Sequence, residues 1–154
     1  MTRSSELPEA VQHLLDGTGL ADKIGTTLQL VVSDDEGWPR VASLSVGEVL
    51  ATGAETILLT MYDSSRTTRA LTERARGLLV LVDEGAIVKV ELEASVAGSA
   101  EGRTIFRCRV AGVERDEVAY ARVTHGIEFE LLDGAAATAR WAKQLDQLAG
   151  MEGA

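Results

Sequence analysis

The sequence predicts a mainly β protein: an antiparallel barrel, closed or nearly so, of about six to seven strands, with accessory helices at both ends and one internal helix. Three observations lead there. Short segments alternate apolar and polar residues with a period of two and are parted by Gly- and Asp-rich turns, as half-buried antiparallel strands are. The helical period appears in only three places, and a single internal helix is too few for repeated β-α-β units. With 154 residues, the chain has room for one domain over 1–154 and too little for two.

The elements follow in order. Leu7, Val11, Leu14 and Leu15 form the stripe of a short helix, with Ser5 as its cap, Pro8 in the first turn and Gly17 and Gly19 at its end. Leu28, Leu30 and Val32 alternate along a first strand. The turn Asp34-Asp35-Glu36-Gly37 leads to a second, Trp38 to Val46, its hairpin partner. Gly47 to Glu55 reads as a connection and Thr56 to Tyr62 as a third strand. Asp63-Ser64-Ser65 then caps a helix whose apolar stripe is Thr67, Ala70, Leu71 and Ala75, broken at Gly77. Leu78 to Val82 is a continuous apolar run, a buried strand. The clearest alternation follows, with Val88, Val90, Leu92, Ala94 and Val96 on one face and Lys89, Glu91 and Glu93 on the other. Phe106, Cys108 and Val110 mark the next strand. Val118 to Val123 reads as a helical turn, and Ile127, Phe129 and Leu131 as a last strand. Asp133 caps a terminal helix with Ala137, Trp141, Leu145 and Leu148 on one face and Gly150 beyond its end.

Composition narrows the function. The net charge of −9 argues against nucleic-acid and anionic-membrane binding, which rely on Lys and Arg near phosphates. One cysteine permits neither an internal disulfide nor a multi-cysteine zinc site. No signal-peptide pattern and no apolar run near the ~18 residues that span a bilayer is present. The expectation is a soluble cytoplasmic protein with a Val, Leu, Ile and Ala core.

The informative stretch is Trp38 to Arg76. There two strands precede Asp63-Ser64-Ser65-Arg66-Thr67-Thr68-Arg69 at a helix start. A helix N-terminus presents unpaired N–H groups and partial positive charge, a cheap seat for phosphate. Ser65 and Thr67 offer hydroxyls, and Arg66 a planar fork suited to phosphate oxygens. A cation at that end opposes the helix dipole, an oddity that a bound anion would resolve. A capped helix with solvated arginines accounts for the same residues.

The order Pro39-Arg40-Val41-Ala42-Ser43-Leu44-Ser45, loop, strand end Thr60-Met61-Tyr62, then Ser65-Arg66-Thr67 resembles the FMN-binding core of the pyridoxamine 5'-phosphate oxidase-like split-barrel family. The resemblance covers roughly residues 26 to 96, and the rest in outline. It implies an FMN-binding split barrel, a homodimer with flavin in a groove between subunits, and a flavin-dependent oxidoreductase acting on a small substrate. By that resemblance Arg40, Val41, Ala42, Ser43 and Ser45 line the flavin. Thr60 and Met61 lie beside its ring, and Ser65, Arg66 and Thr67 hold the phosphate. Ser45 and Thr67 stand where the family has lysines, which weakens phosphate binding, and Arg69 partly compensates. The basic C-terminal substrate motif of the vitamin B6 oxidases is absent, so that activity is not implied. Alternatives on the same barrel are a deazaflavin (F420) reductase, a non-catalytic flavin or haem carrier, and a barrel that has lost its cofactor.

The remaining candidates read as structural. No side chain stands out as a catalytic acid or base. His13 reads as a surface residue, and His125, in a Thr-His-Gly turn, is the one candidate axial ligand for haem; the two histidines make no metal site. Cys108 reads as a buried small hydrophobe. Trp141 is expected in the core or a dimer contact, and Trp38 packed at a strand end. No Gly-x-Gly-x-x-Gly follows a strand, so a Rossmann site has no support.

Overall fold

A computed structural model describes residues 2–152. It is mainly β, with eight strands and three α-helices: β1 (Thr2–Ser4), α1 (Glu9–Leu14), β2 (Leu28–Ser33), β3 (Pro39–Leu44), β4 (Val49–Ala51), β5 (Thr56–Tyr62), α2 (Arg66–Arg74), β6 (Arg76–Asp83), β7 (Ala86–Ala100), β8 (Arg103–Asp116) and α3 (Gly134–Glu152). The sheet runs β3-β2-β6-β7-β8-β5-β4, with β1 also on β8, and every pairing is antiparallel. Although β3 and β4 are joined by one short turn, they form no ladder. The sheet curls but stays open between them, which is the split of a split barrel.

The period-two signal explains the long central strands. Ala86, Val88, Val90, Leu92 and Ala94 of β7 point into the barrel and are buried. Val96, the last residue of that alternation, is 53% exposed instead, just before a register shift between Val96 and Gly98. Phe106, Cys108, Val110 and Val113 of β8 complete that interior with Leu28, Leu30 and Leu79. Burial pushes the Cys108 thiol pKa up to about 12. The opposite face of β5 and β8 is covered by α3, where Leu58 and Ile105 meet Leu145 and Leu148.

The terminal helix is fixed by local devices. The Asp133 carboxylate accepts the Ala136 N–H at 3.1 Å and starts α3. Trp141 of α3 is buried over Gly47, where a Cβ would stand 2.0 Å from the indole Cγ. Phe129 meets the same indole edge-on, with ring centroids 6.4 Å apart.

Several boundaries differ from the sequence reading. Pro8, not Ser5, precedes α1, and no side chain caps that helix. Gly47 to Glu55 contains the short β4. α2 ends at Arg74 because Ala75 adopts a left-handed conformation (φ 60°), two residues before Gly77. α3 runs through Gly150 to Glu152. Residues 118–123 form no helix, only a bridge between Val118 and Ala121, and 127–131 form no strand, only an isolated Thr26–Glu128 bridge to the segment before β2. The alternation there reflects an arm half-packed on the core through Phe129 and Leu131.

Candidate functional site

The start of α2 is built by its own hydroxyls. Ser65 accepts the N–H groups of Thr67 (3.1 Å) and Thr68 (3.5 Å), while the Thr68 hydroxyl donates to Tyr62 O at 2.6 Å. Thr67, Thr68, Ala70 and Leu71 turn inward and are buried. That rotation leaves Arg66, Arg69 and Glu73 on the outer face, opposite the β2–β3 turn.

A cavity of about 250 Å³ separates the two. Arg40, Arg66 and Arg69 converge on it, against Asp34, Asp35, Glu36 and Glu73. Asp34 is buried and organises the turn. Its carboxylate accepts the N–H groups of Glu36 (3.0 Å) and Trp38 (2.8 Å) and the Arg40 Nε–H (2.9 Å). Burial works to raise its pKa, but the Trp38 N–H, the Arg40 guanidinium and the Glu36 N–H outweigh it, so the carboxyl titrates below its ordinary range. Arg74 reaches from the far end of α2 to Asp34 O at 2.8 Å and locks helix to turn. Arg66 and Arg69 form no ion pair among the described residues. Two guanidinium groups without a close ion-pair partner thus sit on the first turn of a helix, where the dipole opposes them.

β3 is an edge strand, so alternate N–H and C=O groups along it lack a ladder partner. Arg40 and Ala42 lie on its inner side, half-buried; Val41 and Ser43 point outward. Val41, 57% exposed, heads a cross-strand row with Val31 and Leu78. Of the remaining residues singled out from the sequence, Ser65 is half-buried, and Ser45, Thr60, Met61 and Thr67 are buried within the chain. The structure therefore brings Arg40 and Arg66 together at one cavity and places Val41 and Ser43 on the opposite face of the same edge strand. The Ser45 hydroxyl donates to Glu48 Oε1 at 3.0 Å. Met61 belongs to the barrel core.

A charged cluster that local sequence patterns do not announce occupies the neighbourhood of Ser45. Arg103, 5% exposed, donates to Glu48 Oε2 (2.7 Å), Thr60 Oγ1 (3.1 Å) and Thr60 O (3.1 Å), and lies 4.2 Å from the Tyr62 ring centroid. Glu48 in turn accepts the N–H and hydroxyl of Ser45. A cation is therefore present beside position 45, supplied by β8, but the Glu48 carboxylate already neutralises it. The pairing of Tyr62 with Arg103 across β5 and β8 and the Thr60 N–H bond to Glu48 O (3.0 Å) bring these residues together.

The other candidates fall as follows. His13 is a surface side chain, Cys108 is buried, and Trp141 is a core residue. Trp38 is 66% exposed, without the strand-end packing expected of it. The His125 Nδ1 lies 3.0 Å from Gly126 O and 3.2 Å from a Glu128 carboxylate oxygen. Both neighbours are acceptors, which puts the ring proton on Nδ1 and leaves Nε2 with its lone pair free.

An open antiparallel barrel, an arginine-lined cavity at the start of its internal helix and a free strand edge beside it define a class. The chain has the split-barrel fold of the pyridoxamine 5'-phosphate oxidase-like and FMN-binding proteins. A Lactobacillus delbrueckii protein provisionally assigned as a pyridoxamine 5'-phosphate oxidase superposes on 74% of this chain and 99% of its own, with TM-score 0.57 and 14% identity. An F420 reductase matches 70% of this chain and 98% of its own at TM-score 0.52 and 14% identity. An FMN-binding protein from Syntrophomonas wolfei matches 71% and 91% at TM-score 0.50 and 14% identity. In sequence, the uncharacterized protein YclD of Bacillus subtilis is 26% identical over 152 residues, which is 96% of this chain and 99% of YclD. No protein-family model matches the chain.

Proposed function

We propose that this chain is an FMN-binding split-barrel protein of the cytoplasm, a flavin-dependent oxidoreductase that works as a homodimer on a small substrate. The observation that carries this is a pair of arginines without ion-pair partners among the described residues, Arg66 and Arg69, sharing a cavity with Arg40 at the start of α2. A phosphate monoester is the group whose charge and paired acceptor oxygens would match their planar guanidinium forks. The helix amides contribute less, because Ser65 already caps two of them. The outward side chains and free edge of β3 would take the ring and ribityl chain, through Val41 and Ser43 and unpaired backbone groups. The four acids around the cavity oppose a dianion and set affinity below that of a purely basic site. When bound, the flavin supplies the hydride chemistry; the protein binds and orients it.

The homodimer rests on the outer sheet face. There Val41, Val31 and Leu78 keep apolar surface exposed or half-buried across three adjacent strands, a patch that a second copy would cover.

The test is FMN titration of the wild type and of Arg66→Ala, followed by absorbance and flavin fluorescence after gel filtration. The variant is expected to bind about 1.5–3 kcal/mol more weakly, a loss of roughly tenfold or more. Equal affinity in a variant that melts with the wild type refutes the phosphate assignment. A deazaflavin would use the same groove, so parallel titration with F420 separates the two cofactors. A monomer by light scattering refutes the shared groove.

A further inference from the structure

A second cavity lies away from the arginine-lined one. It measures about 520 Å³ and is enclosed by the segment before β2, the β6–β7 turn and the arm 122–129. An adjoining space of about 280 Å³ shares Val82, Val123 and Ile127 with it and continues over the outward side chains of Val80 and Ile87. The two form one trough with a polar end and an apolar end.

The trough is built rather than incidental. The arm is tied down at both ends, by Val123 N–H to Gly85 O (3.0 Å) and by Phe129 N–H to Gly25 O (3.3 Å), with the Thr26–Glu128 bridge between. Arg122 lies across Gly85, where a Cβ would stand 2.8 Å from the Arg122 Cγ; only glycine leaves room for that stem. Its guanidinium forms no ion pair among the described residues. His125 lines both halves, held through Nδ1 by Gly126 O and Glu128, with Nε2 free to accept. Glu128 is engaged by that histidine, which leaves Glu84, on the turn, as the free acid at the rim.

We infer that this trough is a second small-molecule site, for a planar organic anion. Arg122 binds the anionic group, Val82, Val123 and Ile127 cover the flat apolar body, and His125 Nε2 accepts a hydrogen bond from an N–H or O–H of the ligand. An unpaired guanidinium whose stem packs on Gly85 beside an apolar slot selects negative charge with flat apolar surface. Glu84 opposes that charge and tunes affinity downward. The site uses none of the arginines assigned to the flavin phosphate, so it stands or falls separately.

The probe is 8-anilinonaphthalene-1-sulfonate, which carries an anion, a flat aromatic body and one N–H. It is titrated by fluorescence against the folded, full-length protein. The wild type is expected to give a saturable gain at one probe per chain. Arg122→Gln keeps much of the stem over Gly85 but removes the charge, and should weaken binding about tenfold or more. Glu84→Gln should tighten it, and Arg66→Ala should leave it unchanged. An Arg122→Gln affinity within twofold of the wild type overturns the site, as does the absence of saturation. An equal loss in Arg66→Ala would put the probe in the flavin groove and overturn it too. If Arg122→Gln does not fold, backbone amide shifts of the wild type on probe addition decide instead. Shifts centred on residues 24–27, 82–87 and 122–129 support the site, and shifts centred on β3 overturn it.

Discussion

Replacing Gly47 by alanine tests how α3 is held. A Cβ at this position would stand 2.0, 2.3 and 2.5 Å from Cγ, Cδ1 and Cβ of Trp141, all well inside contact distance. The indole has no easy retreat, because Phe129 packs against it and the whole side chain is 4% exposed. The adjacent turn is also pinned, since Gln144 Nε2 donates to Gly47 O at 2.9 Å. Overpacking a tight core usually costs about 1–3 kcal/mol. Expelling the indole outright would forfeit burial of roughly 150–250 Å², about 4–6 kcal/mol at ~25 cal/mol per Å². Gly47→Ala should therefore lose about 3 kcal/mol or more, a fall in Tm of roughly 6–12 °C at ~2–4 °C per kcal/mol for a chain this long. Thermal melting followed by tryptophan emission is the assay. Trp38 is already exposed, so a red shift in the variant would report Trp141 leaving its seat. A Tm within about 2 °C of the wild type, with unshifted emission, would show that the indole is not locked over Gly47.

Two further outcomes follow from the charged groups. Arg103→Met and Glu48→Leu should each cost about 3 kcal/mol, since each strands a largely buried partner charge, while the double variant should cost at least about 1 kcal/mol less than the sum; additive urea-derived stabilities would disprove the coupling. For Asp16, burial favours a higher pKa, yet the Lys23 ammonium at 2.9 Å and the Thr18 N–H and hydroxyl hold it at about 2, against an ordinary 3.8. A lowered folded pKa gives stability that is present above pH 3.8 and lost as pH falls through about 2. The side chain is 37% exposed, so the effect is modest, about 0.5 kcal/mol after screening. Urea midpoints between those pH values should fall less in Asp16→Asn than in the wild type, and parallel profiles would contradict the assignment.

The sequence was most legible where structure is decided locally. Ser65 caps α2 and Asp133 caps α3, because a side-chain oxygen placed just before an apolar stripe satisfies amides two or three residues on. The β7 alternation and the burial of Cys108 were equally plain, since a strand with one face on a core must repeat every second residue. What escaped depends on partners distant in sequence. β1 and β4 have three residues each and exist only through β8 and β5. The Ile127–Leu131 alternation had the right period but no strand beside it to pair with. Within the candidate site, the Arg40 and Arg66 positions could be read from motif order, and the structure sets them around one cavity. The Arg103–Glu48 pair joins residues 55 positions apart, and nothing near either one signals the other.

The strand order also governs the chain's passage off the ribosome. The two hairpins made first, β2–β3 and β4–β5, end up at opposite edges of the sheet, each waiting for a neighbour made later: β2 for β6, β5 for β8. Until β8 emerges, the nascent chain carries one edge of β5 without its mate, and its inward Ile57, Leu59 and Met61 lack the Phe106 and Cys108 that later cover them. The β6-β7-β8 meander is contiguous in sequence and needs only tight turns to assemble. Its synthesis is thus the event that converts two separate ribbons into one wall.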